Sequence, residues 1–365
     1  MMPSPLPLPS GQPHTNDSVY TDLINLLDRL PNQKHGELIQ LALTTIMRMA
    51  EDDIDRLDWK ICNAALRDME RAFKTFYPYR HIRKISIFGS ARTTPDTPEY
   101  NLAVDFSRQI TEMGFMVITG AGGGIMQAGN QGAGREHSFG LNIQLPFEQG
   151  ANSFIENDPK LVPFKYFFTR KLFFLKESDA LALFPGGFGT QDEAFECITL
   201  SQTGKSSPMP LVLIDRPGGH YWYDWNEYIH KQLLGRGFIS PDDPSIYTIT
   251  DRVDVACQAI VDFYRVFHSC RYVGNRLVFR LNTDLAEEDV ETLNAEFNDI
   301  LTKGRIEKSH ALPQEAQDLT TVGMARLVMH FNQRDLGRLY QLIQRINTLG
   351  TTSKTADKTA HPEWK

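Results

Sequence analysis

The chain has 365 residues, more than one domain of ordinary size accounts for, so a central domain with flanking modules is expected. Its 41% hydrophobic and 23% charged residues are those of a soluble globular protein, and no apolar run reaches the length of a membrane span; the longest, around Phe164–Leu175, is broken by Lys165, Arg170 and Lys171. A net charge of -7 argues against nucleic acid as the main partner, because phosphate backbones call for a basic face.

Residues 1–16 are rich in Pro, Ser and polar residues and read as a disordered tail. The start, Met1-Met2-Pro3-Ser4-Pro5-Leu6, has neither a basic opening nor an apolar core, so no secretory signal is expected. Residues 17–80 read as a helical module: Leu23, Leu26, Leu27 and Leu30 recur at helical spacing, as do Leu38, Leu41, Leu43, Ile46 and Met47, then Ile54, Leu57, Ile61 and Leu66, with Asn32 and Asp52 as candidate caps.

Residues 81–270 alternate strand, loop and helix. The expected strands are Ile85–Phe88, Phe115–Thr119, Leu141–Leu145, Ala180–Phe184, Leu211–Ile214 and Ile246–Ile249. The expected helices are Tyr100–Met113, Ile125–Arg135, Phe167–Glu177, Gln191–Gln202, Trp222–Leu234 and Val253–Phe267. This rhythm predicts an α/β fold: a Rossmann-like, doubly wound parallel sheet covered by helices on both faces, with ligands beyond the carboxyl ends of its strands. The glycine loops after Phe88, Thr119 and Phe184 fall at those ends.

Residues 271–350 read as a small α+β module, ferredoxin-like in order and possessing no acid–base constellation, which suits regulation or assembly. Arg276-Leu277-Val278-Phe279-Arg280-Leu281-Asn282 and Arg326-Leu327-Val328-Met329-His330-Phe331-Asn332 share Arg-Leu-Val and the Asn, and each precedes a helical stretch, Glu287–Leu301 and Leu336–Ile346. Arg305–Leu312 supplies one more strand between them. Two copies leave duplication and chance likeness both open. Residues 351–365 read as a flexible tail.

The four cysteines, Cys62, Cys197, Cys257 and Cys270, form no C-x-x-C pair and no zinc-spaced cluster. Reduced, mostly buried thiols in a cytoplasmic protein are expected, with no metal and no cofactor.

Gly120-Ala121-Gly122-Gly123-Gly124 matches neither standard phosphate motif: Ile125 stands where the dinucleotide fingerprint needs its third glycine, and no Walker lysine follows. It still joins a strand to a helix, where free N–H groups and the helix dipole favour an anion. A tight turn would need one glycine; three in a row imply close approach to the backbone. Pro185-Gly186-Gly187-Phe188-Gly189-Thr190 is more informative, since its glycines let amides close round a phosphate and Thr190 adds a hydroxyl. The bland alternative is a capping box formed by Thr190 and Glu193, which leaves the two extra glycines unexplained.

The nonapeptide Pro185-Gly186-Gly187-Phe188-Gly189-Thr190-Gln191-Asp192-Glu193 resembles the P-G-G-x-G-T-x-x-E signature of the LOG family, the cytokinin riboside 5′-monophosphate phosphoribohydrolases long mislabelled lysine decarboxylases. Gly120–Met126 is similar to that family's second motif, Phe88-Gly89-Ser90 to its first strand and loop, and Thr169-Arg170-Lys171 to its Arg-Lys pair. The likeness covers about residues 80–270; Gln127 stands where many relatives carry an acid, and Phe164–Phe168 is unusually aromatic.

The resemblance implies hydrolysis of the N-glycosidic bond of a nucleoside 5′-monophosphate, of the AMP or cytokinin-riboside type, to free base and ribose 5-phosphate. It implies Glu193 and Arg170 as catalytic residues, with Gly89, Ser90, Gly122, Gly123, Gly124, Lys171, Pro185, Gly186, Gly187, Gly189 and Thr190 holding substrate and phosphate. It also implies a homodimer or higher homo-oligomer through the central domain, with no nucleic-acid or membrane partner. A carboxylate beneath the ribose answers the positive charge that bond breaking builds there, and a planar guanidinium can fix that carboxylate or hold phosphate. For Arg170 alone, a surface ion pair beside Lys171 would be the bland alternative. A pyridoxal decarboxylase is excluded, since the one His-Lys, His230-Lys231, sits in a helical stretch without the expected setting. The rival from another class is a non-catalytic nucleotide sensor on the same fold.

Overall fold

The computed structural model describes residues 34–143 and 150–352; the expected disordered start, the leucines at 23–30 and the tail past Thr352 lie outside them. Contacts divide the chain into two units, separated in sequence between Ala64 and Ala65. In the first, α1 (Gly36–Glu51) carries Glu37 in its opening turn and Arg48 in its last, each opposite in sign to the dipole end beside it. Asp52 closes this helix, its backbone N–H donating to Arg48 O. Helix α2 (Arg56–Phe76) runs across the division, and its buried residues Ala65, Asp68, Ala72 and Phe76 recur three or four apart on one face.

The second unit is built on seven parallel strands: β1 (Lys84–Phe88), β2 (Met116–Thr119), β3 (Ser138–Ile143), β4 (Leu161–Phe164), β5 (Ala180–Leu183), β6 (Leu211–Ile214) and β7 (Tyr247–Thr250), in the spatial order β4-β3-β2-β1-β5-β6-β7. Between them run α3 (Pro98–Glu112), α4 (Ile125–Ala133), α5 (Phe167–Lys176), α6 (Phe188–Gln202) and α7 (Tyr221–Tyr228), with α8 (Val253–Phe263) after β7. Every residue of β1, β2, β5 and β6 is buried, as continuous apolar strands covered on both faces must be. Ile85, Ile87, Val117, Ala182 and Val212 enter one core with Phe106, Ile125 and Ile260 of α3, α4 and α8. Phe88, Ile118, Leu181, Leu183 and Leu213 enter the other with Phe76, Phe173, Cys197 and Trp222 of α2, α5, α6 and α7. The fold is the expected Rossmann-like, doubly wound sheet.

Ile85 of β1 pairs with Val117 of β2 on one side and Ala180 of β5 on the other. The chain therefore winds outward from β1 to β4, crosses back and winds the other way from β5, making a topological switch point between β1 and β5. Strand β4 was not expected; it holds Pro163, which cannot donate to a ladder, and it lies at the edge of the sheet, where such a residue is tolerated.

After α8 come β8 (Phe267–Val273), β9 (Arg276–Leu281), α9 (Glu287–Phe297), β10 (Leu301–Ser309), β11 (Ala325–Phe331) and α10 (Leu336–Thr352). The expected helix from Val253 stops at Phe263, and Phe267 instead opens β8. The sheet is antiparallel in the order β10-β11-β9-β8. From β9 onward the path is ferredoxin-like, except that β8, arriving from before β9, fills the edge position that a strand after α10 would take. The two Arg-Leu-Val segments are β9 and β11, antiparallel neighbours in which Val278 faces Val328, Leu277 faces Met329 and Phe279 faces Leu327. They are related by a local pseudo-twofold through the valine pair. Leu277, Phe279 and Leu327 of this sheet and Tyr340 and Ile343 of α10 share one buried cluster with Ile260 and Phe263 of α8. The Tyr340 hydroxyl accepts from Met209 N at 3.1 Å.

Candidate active site

A cleft of about 820 Å³ opens beyond the carboxyl ends of β1, β2 and β5, at the switch point. Three loops form it, and Ser90 ties them together. Its N–H donates to Pro185 O at 3.0 Å, and its carbonyl accepts from Ile125 N at 3.0 Å. The sequence folds this way because the backbones come too close for side chains. A Cβ on Gly89 would lie 2.7 Å from Ile125; one on Gly120 would collide with the Arg170 guanidinium and one on Gly186 with the Thr190 hydroxyl. Gly124 turns with φ 64°, where a Cβ would also strike Ser90 O. Gly187 and Gly189 differ: a Cβ on either would meet open space. Packing does not require these two glycines.

Helix α6 starts at Phe188 with Gly187 as its N-cap and no side-chain cap bond. The helix was expected to begin at Gln191, so its start is a correction; Thr190 and Glu193 sit within the first two turns, and the alternative reading of them as a capping box does not hold. The N–H groups of Phe188 and Gly189, first in the helix, have no intrahelical carbonyl to reach, and both residues line the cleft. Glu193, also on the lining, has a side chain only 16% exposed, and its Oε2 is buried without a hydrogen-bond partner. Lys171 lies 3.9 Å from that oxygen but binds Asp192 Oδ2 at 2.5 Å and Glu196 Oε2 at 2.6 Å. Burial pushes the Glu193 carboxyl up to about 7, helped by the charges of Asp192 and Glu196 and opposed by Lys171 and Arg170. It is thus poised to exchange a proton near neutrality.

Arg170 is held by its Nε, which donates to Leu141 O at 2.8 Å, and its guanidinium lies 5.2 Å from the Phe174 ring centroid and against Gly120. Its guanidinium thus reaches the sheet side of α5 and the cleft. Of the expected site residues, Gly89, Ser90, Arg170, Lys171, Gly186, Gly187, Gly189, Thr190 and Glu193 line the cleft together. Pro185 stands just behind as the acceptor for Ser90. Gly122, Gly123 and Gly124 are not on the lining; Gly122 O accepts from Asn152 Nδ2, and Gly124 packs against Ser90 and Ala91.

Sequence reasoning missed Tyr221. Its hydroxyl donates to Gly186 O at 2.5 Å and accepts from Gln191 Nε2 at 2.6 Å, bracing the glycine loop from α7. Asp215 seats α7 by accepting from Tyr221 N at 2.8 Å. An aspartate just past strand β6 was the one available signal. Arg92 and Met126 also line the cleft and were not singled out. Among the described residues no three His, Cys, Asp or Glu side chains gather as a metal site, and no helix is long and apolar enough to cross a membrane.

The family described as "Possible lysine decarboxylase" matches residues 124–260. The chain is 27% identical over 166 residues to a probable cytokinin riboside 5′-monophosphate phosphoribohydrolase of Oryza sativa subsp. japonica, covering 44% of this chain and 74% of that protein. It is 34% identical over 90 residues to the cytokinin riboside 5′-monophosphate phosphoribohydrolase of Mycobacterium tuberculosis, 25% of this chain and 46% of the relative. Among solved structures, a structural-genomics protein, TM1055, is similar at 21% identity with a TM-score of 0.36, covering 49% of this chain and 99% of that one.

Proposed function

We propose that this central domain, which belongs to the LOG family, hydrolyses the N-glycosidic bond of a nucleoside 5′-monophosphate to free base and ribose 5-phosphate. The observation that carries the reading is Glu193: a buried carboxyl with an unpartnered oxygen, at the wall of a cleft at the switch point. The open space at Gly187 and Gly189 and the first amides of α6 suit a phosphate approaching the backbone. Lys171 and the Arg170 guanidinium line the same cleft and bring positive charge to it.

The water oxygen bonds to C1′ of the ribose as the C1′–N bond breaks. The bonding pair leaves with the base. Glu193 as carboxylate faces the positive charge that grows on the ribose, orients the water and takes its proton, which then passes to the departing base nitrogen. AMP or a cytokinin riboside monophosphate is the substrate type we favour. The exposed aromatics on the cleft lining, Phe188 at 94% and Phe167 at 60%, support a homodimer through this face of the central domain, to be checked by light scattering.

Incubation of the full chain with a panel of nucleoside monophosphates, followed by chromatography for free base, tests the reaction. Release of base and ribose 5-phosphate in equal amounts is expected. Nucleotide binding without base release would replace the enzyme with the nucleotide sensor.

A further inference from the structure

Helix α5 carries Arg170 and Lys171, and its N-cap, Tyr166, makes no side-chain cap bond. A residue far away in sequence, on α2 and outside the segment matched by the family, also holds it. Asp68 has no exposed surface. Its Oδ2 accepts from Lys165 N at 2.9 Å and from the Thr169 hydroxyl at 3.0 Å, and its Oδ1 accepts from Arg71 at 2.9 Å. Thr169 is also buried, and its one hydroxyl proton is shared between Asp68 Oδ2 and Tyr166 O, the latter at 2.9 Å. A carboxylate thus sits at the positive end of α5, bound to the backbone just before it and to the side chain just ahead of Arg170.

Apolar packing joins the same two helices, with Phe73 and Phe76 of α2 at 5.2 and 6.4 Å from the Phe173 ring. Ring packing tolerates sliding and small rotations, whereas hydrogen bonds are directional. Successive helix residues are about 100° apart, so Thr169 turned toward α2 aims Arg170 toward the sheet. There its Nε meets Leu141 O, and its guanidinium fills the place a Gly120 side chain would take.

We propose that Asp68 is a positioning residue: its carboxylate, through Thr169 and Lys165 N, sets the rotation of α5 that brings Arg170 into the cleft. The proposal rests on the functional reading above for its kinetic consequence, but not for its geometric one. It gives the helix ahead of the sheet a part in the site.

The test compares Asp68→Asn, Thr169→Val, Thr169→Ser and the Asp68→Asn/Thr169→Val double variant in the full chain. Crystal structures of wild type and Asp68→Asn read the Arg170 Nε to Leu141 O distance, which should lengthen beyond hydrogen-bonding reach in the variant. Base release from AMP should fall about tenfold in kcat for Asp68→Asn and Thr169→Val, a misplacement effect. Thr169→Ser should keep the wild-type rate, and the double variant should lose no more than either single one. Arg170 unmoved in the Asp68→Asn crystal overturns the proposal whether or not the protein is an enzyme. So do losses that appear only in melting temperature, or that multiply in the double variant. A wild type that releases no base sinks the functional reading alone, and the crystal comparison then decides the positioning role.

Discussion

Two glutamates of this chain that are largely withdrawn from water live in opposite circumstances. Glu315, beneath the C-terminal sheet, receives Arg280 through two nitrogens at 3.0 and 2.8 Å and Arg326 at 3.0 Å. Burial alone would raise its carboxyl, but the two guanidiniums hold it below the ordinary range. Glu193 is also withdrawn from water, yet its Oε2 has no partner, and Lys171 is drawn away to Asp192 and Glu196. Burial, only partly offset by the charges of Lys171 and Arg170, pushes it up to about 7. A glutamate supplied with every bond it can accept locks a structure. One left short is available to something that arrives later.

The comparison can be broken most severely at Glu315. Glu315→Gln leaves two buried guanidiniums against a neutral amide and should cost about 3–5 kcal/mol in denaturant unfolding. Base release per folded molecule should not change; a fall in that rate without a fall in stability would reverse the roles assigned to the two residues.

Glu193→Gln should do the opposite. Turnover should drop by roughly 10²–10³-fold while nucleotide still binds, because the lost charge matters most in the cationic transition state. With no capping bond to lose, the variant should not melt early. Normal turnover would remove Glu193 from the chemistry.

Stability against pH sharpens the contrast. In the folded chain Glu193 titrates near 7 instead of 4.5, so between those values the folded state binds more protons than the unfolded. Its contribution is therefore most favourable in acid and declines as pH rises through that window, by an amount on the order of 3 kcal/mol. Glu193→Gln should escape this loss and be more stable than wild type at pH 8 but not at pH 5. Glu315 runs the other way: its stabilisation holds above the unfolded carboxylate range and fades as pH falls through its lowered value. Matched denaturant curves at the two pH values decide the matter, and equal differences at both would contradict the raised carboxyl. The kcat/KM profile should show an acid limb near pH 7.

The mildest change is Tyr221→Phe, which removes two hydrogen bonds at the Gly186 loop. Nucleotide affinity should weaken about fivefold, equivalent to about 1 kcal/mol, with kcat nearly kept. Calorimetry with AMP would show it; an unchanged affinity would mean the loop holds its shape without α7.

The alternating strands and helices were legible in the sequence because they are local patterns, and so was the cleft nonapeptide, whose residues are contiguous. Arg170 was found through its neighbour Lys171 and the family likeness. What stayed hidden depends on tertiary neighbours. Strand β8 reads as a continuation of α8 because Phe263, Tyr264 and Phe267 keep a helical apolar spacing, and only pairing with β9 pulls Phe267 into a sheet. Thr190 and Glu193 spell a capping box that the helix bypasses by starting earlier, at Phe188. Asp68 lies 101 positions from its partner Thr169, beyond any motif.

The cluster joining Phe263 of α8 to Phe279 and Tyr340 has a practical corollary for anyone wishing to shorten this chain. Cutting at residue 270 would keep every loop of the cleft yet strip the apolar flank of α8 and leave Met209 N without the Tyr340 hydroxyl. Such a fragment would shed activity through clumping rather than through chemistry, so a null result from it would say nothing about regulation. The smallest piece worth expressing extends through α10.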